Sequence, residues 1–148
     1  MYCLLHQKGE KIDINFMRCI ILTIFLLAFK VTLFSQLPLK EYEDSTAKAY
    51  KLFQKKKYAE AVSIYSKTFI LNAGMGKVID RYRTASCWAL LNNSDSAFFH
   101  LDKIAGKGKF GEFELISADY NFLGLQKDPR WEIIMEKIKL NKKNEKGL

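Results

Sequence analysis

Proline and glycine are scarce in this chain, with Pro 2 and Gly 8 among 148 residues. A many-stranded sandwich or barrel needs a turn roughly every 8–12 residues, usually built on Gly, Pro, Asn or Asp. So few punctuators argue against that class. Cysteine and histidine are scarce as well, at 3 and 2. That leaves little material for a disulfide framework or a Cys/His metal cluster. The charge is not of one sign: 24 Lys and Arg stand against 16 Asp and Glu, a net +8. This permits an acidic or nucleic-acid partner without demanding one. What is plentiful is apolar, with 49% hydrophobic and 14% aromatic residues. That is the balance of a globular chain, and the length leaves room for one domain.

The long apolar run lies near the N-terminus. Cys19 to Phe29 reads CIILTIFLLAF, preceded by Arg18 and followed by Lys30. A transmembrane helix needs roughly 20 apolar residues, and Lys30 interrupts this run short of that. A short apolar core behind a basic residue fits a secretory signal peptide. Residues 1–35 are therefore read as a leader with its core at 18–35, and residues 36–41 as a linker. Cleavage after Ser35 leaves Gln36 first. Ser35 is suitably small, whereas Leu33 is large for its place. The Phe34-Ser35-Gln36 junction resembles signal cleavage sites common in the Bacteroidetes. Met17 begins a more usual signal than Met1 does, so residues 1–16 read as sequence upstream of the true start. An uncleaved inner-membrane anchor is the alternative, and the only route to a membrane. Cleavage makes the product periplasmic or secreted. It leaves 113 residues with 20 Lys and Arg against 14 Asp and Glu, a net charge of +6. Only Cys87 and His100 then remain of their kinds. One thiol makes no internal disulfide, so the domain at 42–148 must stand on its apolar core.

Past the linker the spacing predicts helices in pairs. Ala49, Leu52 and Phe53 recur at helical intervals, with Asp44 or Ser45 as N-cap and Gln54 to Lys57 as the close. Ala61, Ile64, Tyr65, Thr68 and Leu71 form an i, i+3, i+4, i+7 stripe. Asn72 to Gly76 is a turn. Ile79, Tyr82, Ala85, Trp88 and Ala89 mark a third helix, and Ala97, Phe98, Leu101, Ile104 and Ala105 a fourth, with Ser94 as N-cap. The two pairs superimpose: Ala49 to Ala85, Ala61 to Ala97, Leu52 to Trp88 and Tyr65 to Leu101 are each 36 residues apart. Small residues recur where helices must approach closely, and large ones where they fill the gap between pairs. The spacing is that of a helical-hairpin repeat in two copies, about 42–72 and 77–105.

The segment from Tyr58 to Asn72, YAEAVSIYSKTFILN, resembles the second helix of the tetratricopeptide repeat, whose period is about 34. Ala61 and Tyr65 take that family's A-x3-F places, as do Ala97 and Leu101 in the second copy. Ala49 and Ala85 stand at its small position, and Leu52 and Trp88 at its large aromatic one. There are departures. Ser45 and Arg81 replace its Trp, Lys48 and Thr84 its Leu, and Ala73 and Lys109 stand where it closes with Pro. The resemblance implies an all-α fold: a short right-handed α-solenoid of two tetratricopeptide-like hairpins plus C-terminal capping helices. It also implies a non-enzymatic protein–protein interaction module in the cell envelope or outside it, gripping a peptide or partner helix. Carried over by position, Tyr50, Phe53 and Gln54 match groove places in the first copy, and Tyr82, Ser86 and Ala89 in the second. The alternative is a structural accessory subunit of an envelope complex, held through its helix faces and cap.

The last third is read as that cap, about 112–141, with a basic tail at 142–148. Phe113, Leu115, Tyr120, Phe122 and Leu123 are expected to turn inward, and Asp128-Pro129 to start a helix with Trp131, Ile134, Met135 and Ile138 on one face. The string ADYNFLGLQKDPRW is similar to closing elements of bacterial repeat proteins. A short solenoid needs one, because its end face otherwise exposes apolar surface.

Candidate chemistry is thin. Gly106 to Gly111 spells G-x-G-x-x-G, but no strand precedes it, as dinucleotide binding requires. A loop leaving a helix explains its glycines. Cys87, Ser96, His100 and Asp102 invite a nucleophile reading, yet nothing supplies an orienting group or an oxyanion site. Cys87 reads as a small core residue and His100 as a helix-surface residue. No Cys/His pair has ligand spacing. The lysines at 55–57 and in the tail read as solvated faces, and Asn92-Asn93-Ser94 as an inter-helix turn that happens to match a glycosylation acceptor. No catalytic residue, cofactor, metal or nucleic-acid partner is therefore assigned.

Overall fold

The computed structural model describes residues 14–33 and 38–145. Every regular element among them is helical, and no strand forms. The chain divides between Ser35 and Gln36 into two units, each taken by itself.

The first unit holds α1 (Ile14–Leu33). Its apolar stretch, Cys19 to Phe29, broken only by Thr23, spans only about half of the ~30 Å hydrocarbon layer at 1.5 Å per residue. Among the described residues no helix is long and apolar enough to cross a membrane. Residues 1–13 and the expected cleavage point at Ser35/Gln36 lie outside the described residues.

The second unit runs α2 (Leu39–Gln54), α3 (Tyr58–Leu71), α4 (Val78–Leu90), α5 (Ser94–Ala105), α6 (Phe113–Ala118), a 3-10 helix (Tyr120–Leu125) and α7 (Pro129–Glu145). α2 pairs with α3, and α4 with α5, across short turns; α4 also packs on both α2 and α3. Short connections force each pair to run antiparallel. α2 begins at Leu39, ahead of the expected Asp44 or Ser45, and Pro38 is its first flanking residue. The Pro38 ring fixes φ at −50° and sets the chain for the first turn. Ser94 is likewise inside α5, and Asn93 is the cap, its side chain accepting from the Ser96 amide at 3.0 Å.

The 36-residue spacing is built into burial. Ala49, Ala85, Ala61, Ala97, Tyr65 and Leu101 are all fully enclosed. It is also built into the backbone. Lys56 and Asn92 close the first helix of each pair with φ of 59° in both. Ala73, in the turn after α3, and Lys109, in the loop four residues past the end of α5, also carry positive φ, 54° and 51°. At the first position Lys57 and Asn93 donate to the carbonyls of Leu52 and Trp88, each at 2.9 Å. This is the left-handed helix stop that satisfies terminal carbonyls. Proline cannot adopt a positive φ, which accounts for its absence at Ala73 and Lys109.

Polar groups bind the pairs to each other. The Tyr42 hydroxyl donates to Asp80 at 2.9 Å and accepts from the Lys77 amide at 2.9 Å. Asp80 also lies 3.6 Å from Arg83. Burial raises the Asp80 pKa against the pull of these partners.

The C-terminal elements complete the main core, in which Leu101 and Ile104 meet Ile116, Phe122, Leu125, Ile134, Met135 and Ile138. Asp128 caps α7, accepting from the Arg130 amide at 2.9 Å, with Pro129 at the first helical position. Arg130 reaches Asp95 at 2.7 Å, and Lys137 reaches Asp102 at 2.6 Å. Asn141 donates to the carbonyls of Ala105 and Phe110, satisfying the end of α5. Three expected inward residues, Leu115, Tyr120 and Leu123, are instead exposed. A short helix followed by a 3-10 helix turns only Ile116, Phe122 and Leu125 fully inward. Lys142 and Lys143 belong to α7 and not to a tail. They suit the negative end of its dipole.

Candidate partner-binding surface

The surface expected from the sequence draws on α2 and α4, the first helices of the two pairs, which touch one another. The structure separates its two halves. On α2, Tyr50 and Phe53 are half-buried and Gln54 is exposed. A spacing of three sets Tyr50 and Phe53 on one helix face, and their rings stack at 6.2 Å. Tyr58, at the start of α3, adds a third ring 5.7 Å from Phe53. The Arg83 guanidinium of α4 lies over Tyr50, 3.7 Å from the ring centre. The result is a short aromatic ladder with a cationic end. Tyr58 and Arg83 escaped the sequence reading because neither stands at a groove position of the repeat.

The α4 half is closed, which corrects the expectation. Tyr82, Ser86 and Ala89 are 8%, 1% and 9% exposed. The 3-10 helix packs directly on α4. The Tyr82 hydroxyl donates to Asp119 at 2.7 Å, and its ring meets Phe122 edge-on at 5.4 Å and Phe110 at 5.7 Å. Burial, reinforced by Asp119, holds that hydroxyl protonated well above the ordinary phenol range. Ala89 shares the same apolar cluster. Ser86 donates to the Tyr82 carbonyl at 3.1 Å, one helical turn back. The chain's own C-terminal element thus occupies the face of α4 on which a partner was expected.

The candidate chemistry resolves into packing. Cys87 is fully buried beside Ala61 and Val62. Burial pushes its thiol up to about 12, out of reach of nucleophilic use at neutral pH. His100, expected on the surface, is buried at 6% exposure. Its ring lies 5.8 Å from Phe69 of α3 and 5.1 Å from its own neighbour Phe99 on α5. His100 Nδ1 accepts from Arg81 at 3.2 Å, which places the ring proton on Nε2. Burial, with Arg81 beside it, lowers the imidazole to about 4. Asp102 faces away to Lys137, and among the described residues no hydrogen bond joins His100 to a carboxylate that could orient it as a base.

Arg81 is itself 7% exposed. It donates to the Gly74 carbonyl and to His100, and lies 4.6 Å over the Phe69 ring. Among the described residues its polar partners are neutral, and no ion pair includes it. The loop Gly106–Gly111 leaves α5. A Cβ at Gly108 would meet the Ile104 carbonyl at 2.7 Å and Val78 at 2.9 Å, so this glycine serves a close approach. Among the described residues no group of three or more His, Cys, Asp or Glu is placed to hold a metal ion. No family model, no curated protein and no solved structure matches the chain.

Proposed function

We propose that residues 42–148 form a non-enzymatic protein-interaction module, a short tetratricopeptide-like solenoid of two hairpins and a cap. The observation that carries this reading is the recurrence of structure at one constant spacing. Buried alanines, left-handed stops and half-buried Leu52 and Trp88 all repeat 36 residues apart. Each hairpin alone has too little core, and stacking supplies it. The binding surface is the α2 half only: Tyr50, Phe53 and Gln54, extended by Tyr58 and Arg83. Half-buried aromatic rings beside an arginine are the side chains that carry binding energy at interfaces. A peptide or partner helix with an apolar face suits them.

The module is read as exported, in the periplasm or outside the cell. The short apolar run behind Arg18, in a unit separate from residues 36–148, supports this. Mass spectrometry of the envelope fraction checks it, with Gln36 expected at the N-terminus; an intact Met1 or Met17 form retires the cleaved-leader reading. An affinity pull-down of the mature form from its own cell envelope tests the module. A Tyr50→Ala, Phe53→Ala pair should lose the captured partner, whereas full capture rules this surface out.

A structural accessory subunit is the second reading. It is favoured by the exposed apolar residues of the cap, Leu115, Tyr120, Leu123, Ile133 and Leu140. Size-exclusion chromatography separates the two. A soluble isolated monomer supports the module, and insolubility without a partner supports the subunit.

A further inference from the structure

A cavity of about 350 Å³ opens beside Arg81. Its walls come from three places: the turn after α3, the start of α4, and the exit of α5. Three cations line it, Arg81, Lys103 and Lys107, and no Asp or Glu does. Val78 and Ile104 supply apolar wall, and Gly74 and Gly108 bring bare backbone to the rim. The carboxylates nearest in sequence are committed elsewhere: Asp80 to Tyr42 and Arg83, and Asp102 to Lys137.

Arg81 sets the problem. A charge removed from water is strongly destabilising unless an opposite charge compensates it. Here the residue as a whole is 7% exposed, it lines the cavity, and the partners of its guanidinium are a carbonyl, an imidazole and an aromatic ring. His100, neutral or protonated, supplies no negative charge. The open side of the guanidinium is the cavity, where Lys103 and Lys107 add to the same positive field, so an anionic ligand entering there would supply the counter-charge. Arginine's planar fork suits an oxyanion in particular.

We propose that this cavity is a binding site for a small oxyanion-bearing ligand, a phosphate monoester or a carboxylate, with Arg81 as its buried anchor and Lys103 and Lys107 as its outer clamps. This goes beyond the interaction-module reading and does not rest on it, since the aromatic ladder of α2 takes no part.

The test is titration of the full chain with inorganic phosphate and, separately, with acetate, each against sodium chloride at equal ionic strength. Amide resonances of Gly74 and Gly108 report the site directly. Saturable shifts are expected, with a Kd on the order of 1 mM for the bare ions and a rise in melting temperature that chloride does not match. Stronger binding of phosphate assigns a phosphate ester, and stronger binding of acetate a carboxylate; either supports the site. A Lys103→Gln, Lys107→Gln variant changes accessible side chains and should keep its helical signal while binding at least tenfold more weakly. Absence of saturable shifts with both anions overturns the proposal. So does a folded variant that binds as tightly as the original chain.

Discussion

At the scale of single residues, burial decides more here than residue type. His100 and Arg81 are polar in type, yet both lie inside. Their pairing has a pH signature. The folded-state pKa of His100 is lowered from 6.5 to about 4, so folding disfavours its protonated form. The contribution to stability is complete above about pH 6.5 and is lost as pH falls toward 4. By linkage the loss amounts to roughly 3 kcal/mol. Chemical denaturation at pH 7 and pH 4.5 measures it. A His100→Asn variant, whose side-chain oxygen can accept from Arg81 much as Nδ1 does, should show a shallower decline over that interval. An equal decline in both chains would place the acid sensitivity elsewhere.

At the scale of elements, the helix stops hold stored strain. Lys56 and Ala73 are exposed and carry positive φ. A side chain in that conformation costs about 1 kcal/mol relative to glycine. Lys56→Gly and Ala73→Gly should therefore each stabilise the fold by about that amount, read as a higher denaturation midpoint with unchanged slope. Both stops fall inside the close at Gln54 to Lys57 and the turn at Asn72 to Gly76 read from the sequence, but their left-handed geometry was not legible, because lysine and alanine do not favour a positive φ. Asn92 alone of these four is a residue that favours such a φ. The four paired helices were legible, since an apolar stripe at helical spacing survives departures such as exposed Ile79 and Leu71. The cap was legible only in outline. Asp128-Pro129 announced α7; Tyr120 and Leu123 were misplaced because the chain there forms a 3-10 helix, and Leu115 because α6 is a single short α-helix that buries Ile116 instead. The groove failed on α4 for a tertiary reason. Nothing local to Tyr82 says that Asp119 and Phe122 will return to cover it.

At the scale of the whole molecule, the second hairpin depends on the C-terminal elements for its core. Ile116, Phe122, Leu125, Ile134, Met135 and Ile138 are all buried against it. At about 1.5–3 kcal/mol for each side chain, removing them is worth on the order of 10 kcal/mol, comparable to the entire stability of a small domain. A chain ending at Gly111 should therefore lose its cooperative thermal transition by circular dichroism; a sharp transition would mean that the hairpins stand without the cap. Phe53 and Tyr58 of the aromatic ladder pack in a different cluster from these residues, so the proposed partner capture and cap integrity can be varied separately. The matched stops at Lys56 and Asn92 have a bearing on how such a chain changes length. Both junctions present the same backbone geometry, so a whole hairpin can be spliced in or out between them without a new turn being invented. For this architecture, growth by duplication is the mutation of least resistance, and the span of the proposed binding face becomes a quantity that one recombination event can alter.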